Sequence, residues 1–114
     1  MRPFESGLGL ESIAEAEATC AALRYTASQL VATSCADFAS HYQWLEEETQ
    51  DLINQFRRGG KNYDLLYVCY TDDLDVGLVL SALNVYLGSP KIEDHHAQTI
   101  LTMQDSYIAA MLEP

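Results

Sequence analysis

The sequence predicts an all-α fold, a compact antiparallel bundle of four to five helices. Apolar residues recur at alternating three- and four-residue steps over four long stretches. Gly59-Gly60 and Gly88-Ser89-Pro90 punctuate the chain between them. The connections that remain are short, which favours antiparallel neighbours. With 114 residues, 48% of them hydrophobic, one domain can bury enough apolar surface to offset the entropy of ordering the chain.

Residues 1–9 read as a loose N-terminal arm interrupted by Pro3, Gly7 and Gly9, and residues 10–114 as a single helical domain. MRPFESGLGLES has one Arg and no apolar run, so no secretory signal is expected there. No window approaches the roughly 18 apolar residues of a membrane span.

The first helix is expected from Leu10 to Thr33. Ile13, Ala16, Cys20, Leu23, Ala27 and Leu30 repeat at helical spacing, and most are small enough for a neighbour to approach closely. Glu11, Glu15 and Glu17 lie in its first turns, where the helix dipole favours negative charge. The second helix is expected from Cys35 to Arg58. Ser34 followed by Asp37 resembles a capping box, and Phe38, Tyr42, Leu45, Thr49, Leu52, Ile53 and Phe56 line one face. Arg57 and Arg58 suit the negative C-terminal end, and Gly59-Gly60 stops the helix.

YDLLYVCY, residues 63–70, has the composition of a strand. Its neighbours read as helical and offer no strand to pair with. Helix is therefore expected, with Tyr63, Leu66, Tyr67 and Tyr70 on one face.

The third main helix is expected from Asp72 to Leu87, capped by Thr71 and stopped by Gly88. Val76, Val79, Leu80, Leu83 and Leu87 form one stripe, and Leu74, Leu78 and Val85 fall opposite. A helix apolar on both sides is central or covered by a partner. The last helix is expected from Pro90 to Leu112, with Ser89 as cap. Ile92, Met103 and Tyr107 lie on one side and Leu101, Ile108 and Leu112 on the other. This apolar surplus predicts either a central third helix or a homodimer through helices 72–87 and 90–112.

Charge narrows the function. Seventeen acids against six bases give a net charge of −11. The acids are spread, nine against four bases in residues 1–60 and eight against two in 61–114. Neutralising phosphates needs clustered Lys and Arg, so direct nucleic-acid binding and anionic membranes are excluded as expectations. Cys20, Cys35 and Cys69 are odd in number and include no CxxC pair, which argues against a disulfide framework and a thiolate zinc site. They read as small buried hydrophobes in a reducing cytoplasm.

Five constellations bear on chemistry. Glu93 and His96 have the Glu-x-x-His spacing of di-iron bundles, which need two such motifs; the chain has one. Asp37 and His41, one turn apart, with Glu15 and Asp73 or Asp75, would have to complete the set, and Asp37 projects away from the Phe38 stripe. His41 and His96 therefore read as boundary residues, and no metal or cofactor is expected. Arg57-Arg58-Gly59-Gly60-Lys61 lacks the rest of a phosphate loop and reads as a helix C-cap. Cys69 lies in an apolar run that disfavours its thiolate, and no GxSxG elbow is present, so enzymatic activity is not expected. Asp72, Asp73 and Asp75 match a helix N-terminus and lack the spacing of a calcium loop.

The fifth is a surface. On a helical wheel Trp44 falls away from the Phe38/Leu45/Leu52/Phe56 stripe and shares its face with Asp37, Glu48 and Asp51, with Glu47 close by and His41 at the edge. A tryptophan ringed by carboxylates suits a basic partner, whose arginine stacks on the indole and pairs with an acid. The expected function is a non-enzymatic, acidic protein–protein interaction module. By analogy of size, charge and fold class, it would be an inhibitor occluding a basic nucleic-acid-binding surface, of the antirestriction or anti-CRISPR type. The alternatives are a homo-oligomeric helical scaffold or regulator and, behind it, a metal-binding four-helix bundle.

Overall fold

The computed structural model describes residues 2–4, 7–33, 35–59 and 68–112. The order of elements is β1 (Arg2–Phe4), β2 (Gly7–Leu10), α1 (Ile13–Ala32), α2 (Ala36–Gly59), β3 (Val68–Tyr70), α3 (Asp73–Leu87) and α4 (Asp94–Leu112). The framework is the expected helical bundle, with a small antiparallel sheet in the order β1-β2-β3 added to it.

The central helix is α1, not α3. It packs on α2, α3 and α4. Its buried residues are Ala16, Ala18, Thr19, Cys20, Ala22, Leu23, Thr26 and Ala27. Ala18 and Ala22 open a second buried face opposite the expected stripe. Only small side chains let three helices approach one axis, which is why a helix of modest amphipathicity fills the middle. Its start is fixed by Ser12, whose Oγ accepts from the Glu15 amide at 3.2 Å, while Glu15 Oε1 accepts from the Glu11 amide at 3.1 Å. This reciprocal cap shortens the helix by three residues from the expected Leu10 start.

α2 runs antiparallel to α1, as the cross-contacts show. The Cys20 thiol lies against the Glu46 carbonyl, Arg24 pairs with Glu46 at 2.9 Å, and Arg57 pairs with Glu17. Tyr42, Leu45, Thr49 and Ile53 are buried as expected, joined by Ala39. Phe38 and Leu52 are not, at 67% and 37% exposure. Phe38 stands in the first turn of α2, at the margin of the core; Leu52 lies at the edge of the stripe.

Two expectations fail together. Residues 2–4 and 7–9 of the N-terminal arm are paired in strands, and 63–70 is not a helix over its described part, 68–70. β2 pairs with β3 through Leu8↔Tyr70 and Leu10↔Val68, and β1 pairs with β2. The strand that seemed to lack a partner finds one at the other end of the sequence. Leu8 and Leu10, two residues apart and thus on one face, are fully buried. Residues 60–67, including Lys61, and Ser34 lie outside the described residues.

α3 is capped by Asp72 instead of Thr71; its Oδ1 accepts from the Leu74 amide at 2.8 Å. Val79, Ala82, Leu83 and Tyr86 are buried, whereas Leu74 and Val85 remain exposed, as befits a peripheral helix. α4 begins at Asp94, not Pro90. The Ile92 amide donates to the Ser89 carbonyl and the Lys91 amide to Ser89 Oγ. Pro90 thus occupies the second position of a turn, where its fixed φ also fits. Ile100 and Met103 anchor α4 to the core.

Candidate functional site

α2 and α3 both dock on α1 and touch each other little, so a groove opens between their N-terminal halves. Its volume is ≈ 550 Å³, and Asp37, Ser40, His41, Trp44, Asp72, Leu74 and Asp75 line it. One contact spans it: His41 Nε2 lies 2.9 Å from Asp75 Oδ1. This is an ion pair when the imidazole carries its second proton. The same imidazole meets Trp44 edge to face, with ring centroids 6.1 Å apart at 89°. Asp75 therefore positions His41, and His41 positions the indole.

Trp44 is 51% exposed. Beside it an apolar annex of ≈ 240 Å³ is lined by Asp37, Phe38, His41, Leu74 and Leu78. Phe38 and Leu74 thus face water as parts of this surface, not as strays from the core. Three carboxylates, Asp37, Asp72 and Asp75, line the groove together with the apolar Trp44 and Leu74. Among the described residues no Lys or Arg lines it. Arg24 and Arg57 are engaged along the α1–α2 seam by Glu46 and Glu17, and Arg58 Nε donates to the Asn54 carbonyl.

No known protein family, curated protein or solved structure matches the chain. The reading of the site rests on its own chemistry.

Of the expected surface residues, Asp37, His41 and Trp44 come together at the groove. Glu48 lines a smaller extension of ≈ 130 Å³, beside Trp44, Tyr70 and Thr71. Glu47 and Asp51 are exposed on α2 and line none of these depressions. Asp72, Leu74 and Asp75 were missed as site residues. The helix dipole accounts for their charge, and nothing local to them points at α2.

The two histidine motifs do not converge. His41 stands on Asp75 and His96 on Tyr86, whose hydroxyl lies 2.8 Å from His96 Nδ1. Eleven residues of α3 separate those anchors, about 16 Å along its axis. A shared di-metal centre built from Asp37, His41, Glu93 and His96 is thereby ruled out. No helix among the described residues is long and apolar enough to cross a membrane.

Two buried groups, the Cys20 thiol and the Tyr70 phenol, are held in their neutral forms. Burial pushes the Cys20 thiol up to about 12, reinforced by Glu46. Burial also holds the Tyr70 phenol well above its ordinary value, outweighing its hydrogen bond to Thr49. Such groups are locked in their neutral forms and do not act as nucleophiles at neutral pH.

Proposed function

We propose that the protein is a non-enzymatic interaction module that docks an arginine-bearing basic surface of another protein in the Trp44 groove. One observation carries this: a half-exposed tryptophan in a groove lined by Asp37, Asp72 and Asp75, without a basic residue lining it among those described. A guanidinium stacked on the indole gains cation–π attraction and reaches the groove carboxylates with its planar fork. The net charge of −11 steers such a partner from a distance. Basic surfaces of this kind are commonly phosphate-binding, so the module would act as an inhibitor by occluding a nucleic-acid groove, the antirestriction or anti-CRISPR mode of action.

Trp44 is the single tryptophan, so its fluorescence reports this groove alone. Titration with an oligoarginine peptide should shift that emission saturably, and oligolysine should do so more weakly. With a captured partner, Trp44→Ala should weaken binding by about 2 kcal/mol, with circular dichroism unchanged. Association should slow steeply with salt, and duplex DNA should compete. A salt-indifferent on-rate, or an emission untouched by oligoarginine, overturns the proposal.

A second reading has its own observation. Val85, Leu101, Ile108, Met111 and Leu112 are 42–79% exposed on α3 and α4. Such a surface suits a second copy of the chain, making a homo-oligomeric scaffold. Light scattering decides it: a strict monomer at tens of micromolar removes this reading.

A further inference from the structure

Glu93, His95 and His96 gather at the start of α4, at the end of α3 remote from the Trp44 groove. One donor atom from each lies within 4.8 Å of the other two. His95 Nε2 is 3.3 Å from Glu93 Oε2, and His96 Nδ1 is 3.8 Å from the same oxygen. The two imidazoles lie side by side, with centroids 4.2 Å apart. Zinc bonds of about 2.0–2.1 Å, spread at the tetrahedral angle, place neighbouring donors about 3.4 Å apart. The His95–Glu93 edge already has that length, and the His96–Glu93 edge is a few tenths of an ångström longer.

We propose that Glu93, His95 and His96 bind a zinc-class divalent transition-metal ion, with two imidazole nitrogens and one carboxylate oxygen as ligands and the remaining position open to water or to a donor from another molecule. An ion-pair cluster is the competing account of the same contacts. Two charged imidazoles with centroids 4.2 Å apart and rings tilted at 49° would repel each other. The His96 side chain is only 15% exposed, which limits its rotation. The Tyr86 hydroxyl lies 2.8 Å from Nδ1, the nitrogen nearest Glu93, so the metal would take the place of that hydroxyl there. The N-terminal dipole of α4 opposes a cation, but Glu93 and the adjacent Asp94 of the first turn offset it. Two imidazoles select against Mg²⁺ and Ca²⁺, which prefer oxygen.

The test is calorimetric titration of the chelator-stripped full chain with ZnCl₂ and, separately, MgCl₂. The expected result is one zinc per chain, no magnesium, and a raised thermal midpoint with zinc. His95 is 71% exposed and Glu93 63%, so His95→Ala and Glu93→Gln should leave the metal-free midpoint unchanged. Each should weaken zinc binding at least about 100-fold, more than loss of a supporting contact brings. Cys35 is exposed and is the rival ligand, so Cys35→Ser should retain the binding. No zinc binding at 100-fold molar excess, binding undiminished by His95→Ala and Glu93→Gln, or binding lost with Cys35→Ser each overturns the proposal.

Discussion

Gly7→Ala is expected to be among the most damaging single-methyl substitutions in this chain. Gly7 has φ 155°, which L side chains rarely adopt. A Cβ there would overlap the Tyr70 carbonyl oxygen and lie 2.9 Å from Thr71 Cα. Both are backbone atoms and neither can swing aside. The backbone strain alone is worth about 1–3 kcal/mol. If β2 instead pulls away from β3, the fully buried Leu8 and Leu10 lose their cover, at about 1.5–3 kcal/mol each. The expected loss thus lies at roughly 3 kcal/mol, with a ceiling near 6. At about 4 °C per kcal/mol for a domain of this size, the melting temperature should fall by roughly 12 °C or more. Urea unfolding followed by circular dichroism at 25 °C measures it directly. Gly77→Ala is the control, because nothing lies within 4 Å of a Cβ in that exposed position of α3. There the methyl group should raise stability by up to about 1 kcal/mol through helix propensity. A Gly7→Ala protein as stable as the wild type would refute the β2–β3 pairing, and with it the account of how the N-terminal segment joins the core.

Three other outcomes follow from the buried polar groups. Brief alkylation of native protein at pH 8, read by peptide mapping, should label exposed Cys35 and spare Cys20, whose thiol stays protonated; denaturant should release Cys20. Thr49 Oγ1 donates to the Leu45 carbonyl at 2.9 Å, so at 2.6 Å it must accept from the Tyr70 hydroxyl. Thr49→Val orphans that hydroxyl and should cost about 1–3 kcal/mol in urea unfolding, and adding Tyr70→Phe should recover part of the loss. Because the Tyr70 and Cys20 values are raised in the folded state, the unfolded chain releases their protons first as pH climbs. Their contribution is complete below pH 9, declines as the unfolded thiol and then the unfolded phenol ionise, and Tyr70→Phe should flatten the part above about pH 10.

The helices were legible because their apolar spacing and their punctuation agree. Ser12-x-x-Glu15 was a readable cap, yet the apolar pattern extending back to Leu10 drew the expected start too early. The sheet was not legible, because its partners lie at opposite ends of α1 and α2 in sequence, and a strand signal has no force without a partner. GLGL alternates as a half-buried strand should, but its glycines read first as flexibility. Burial around α1 was partly hidden for a different reason: Ala18 and Ala22 are too small to stand out, and smallness is what a central helix requires. The exposure of Trp44 followed from the helical wheel of α2 alone. The groove did not, since Asp72, Leu74 and Asp75 reach Trp44 only because α2 and α3 share α1 as a platform.

The same geometry divides the acids of α2 by role. Interactions between exposed charges fade beyond about 8 Å at physiological ionic strength. Asp37 and Asp51 both lie two helical turns from Trp44, about 10 Å along the axis, but Asp37 lines the groove and would touch a docked cation, whereas Asp51 lines no part of it. Asp75 is a poor probe of contact because its loss also frees His41. Asp37→Asn should therefore speed dissociation of a basic ligand, while Asp51→Asn should lower only the association rate, and that difference should shrink as salt is raised. Stopped-flow fluorescence of Trp44 resolves the two rates. If Asp51→Asn speeds dissociation as much as Asp37→Asn does, the ligand lies along the outward face of α2 and the groove between α2 and α3 is not its seat.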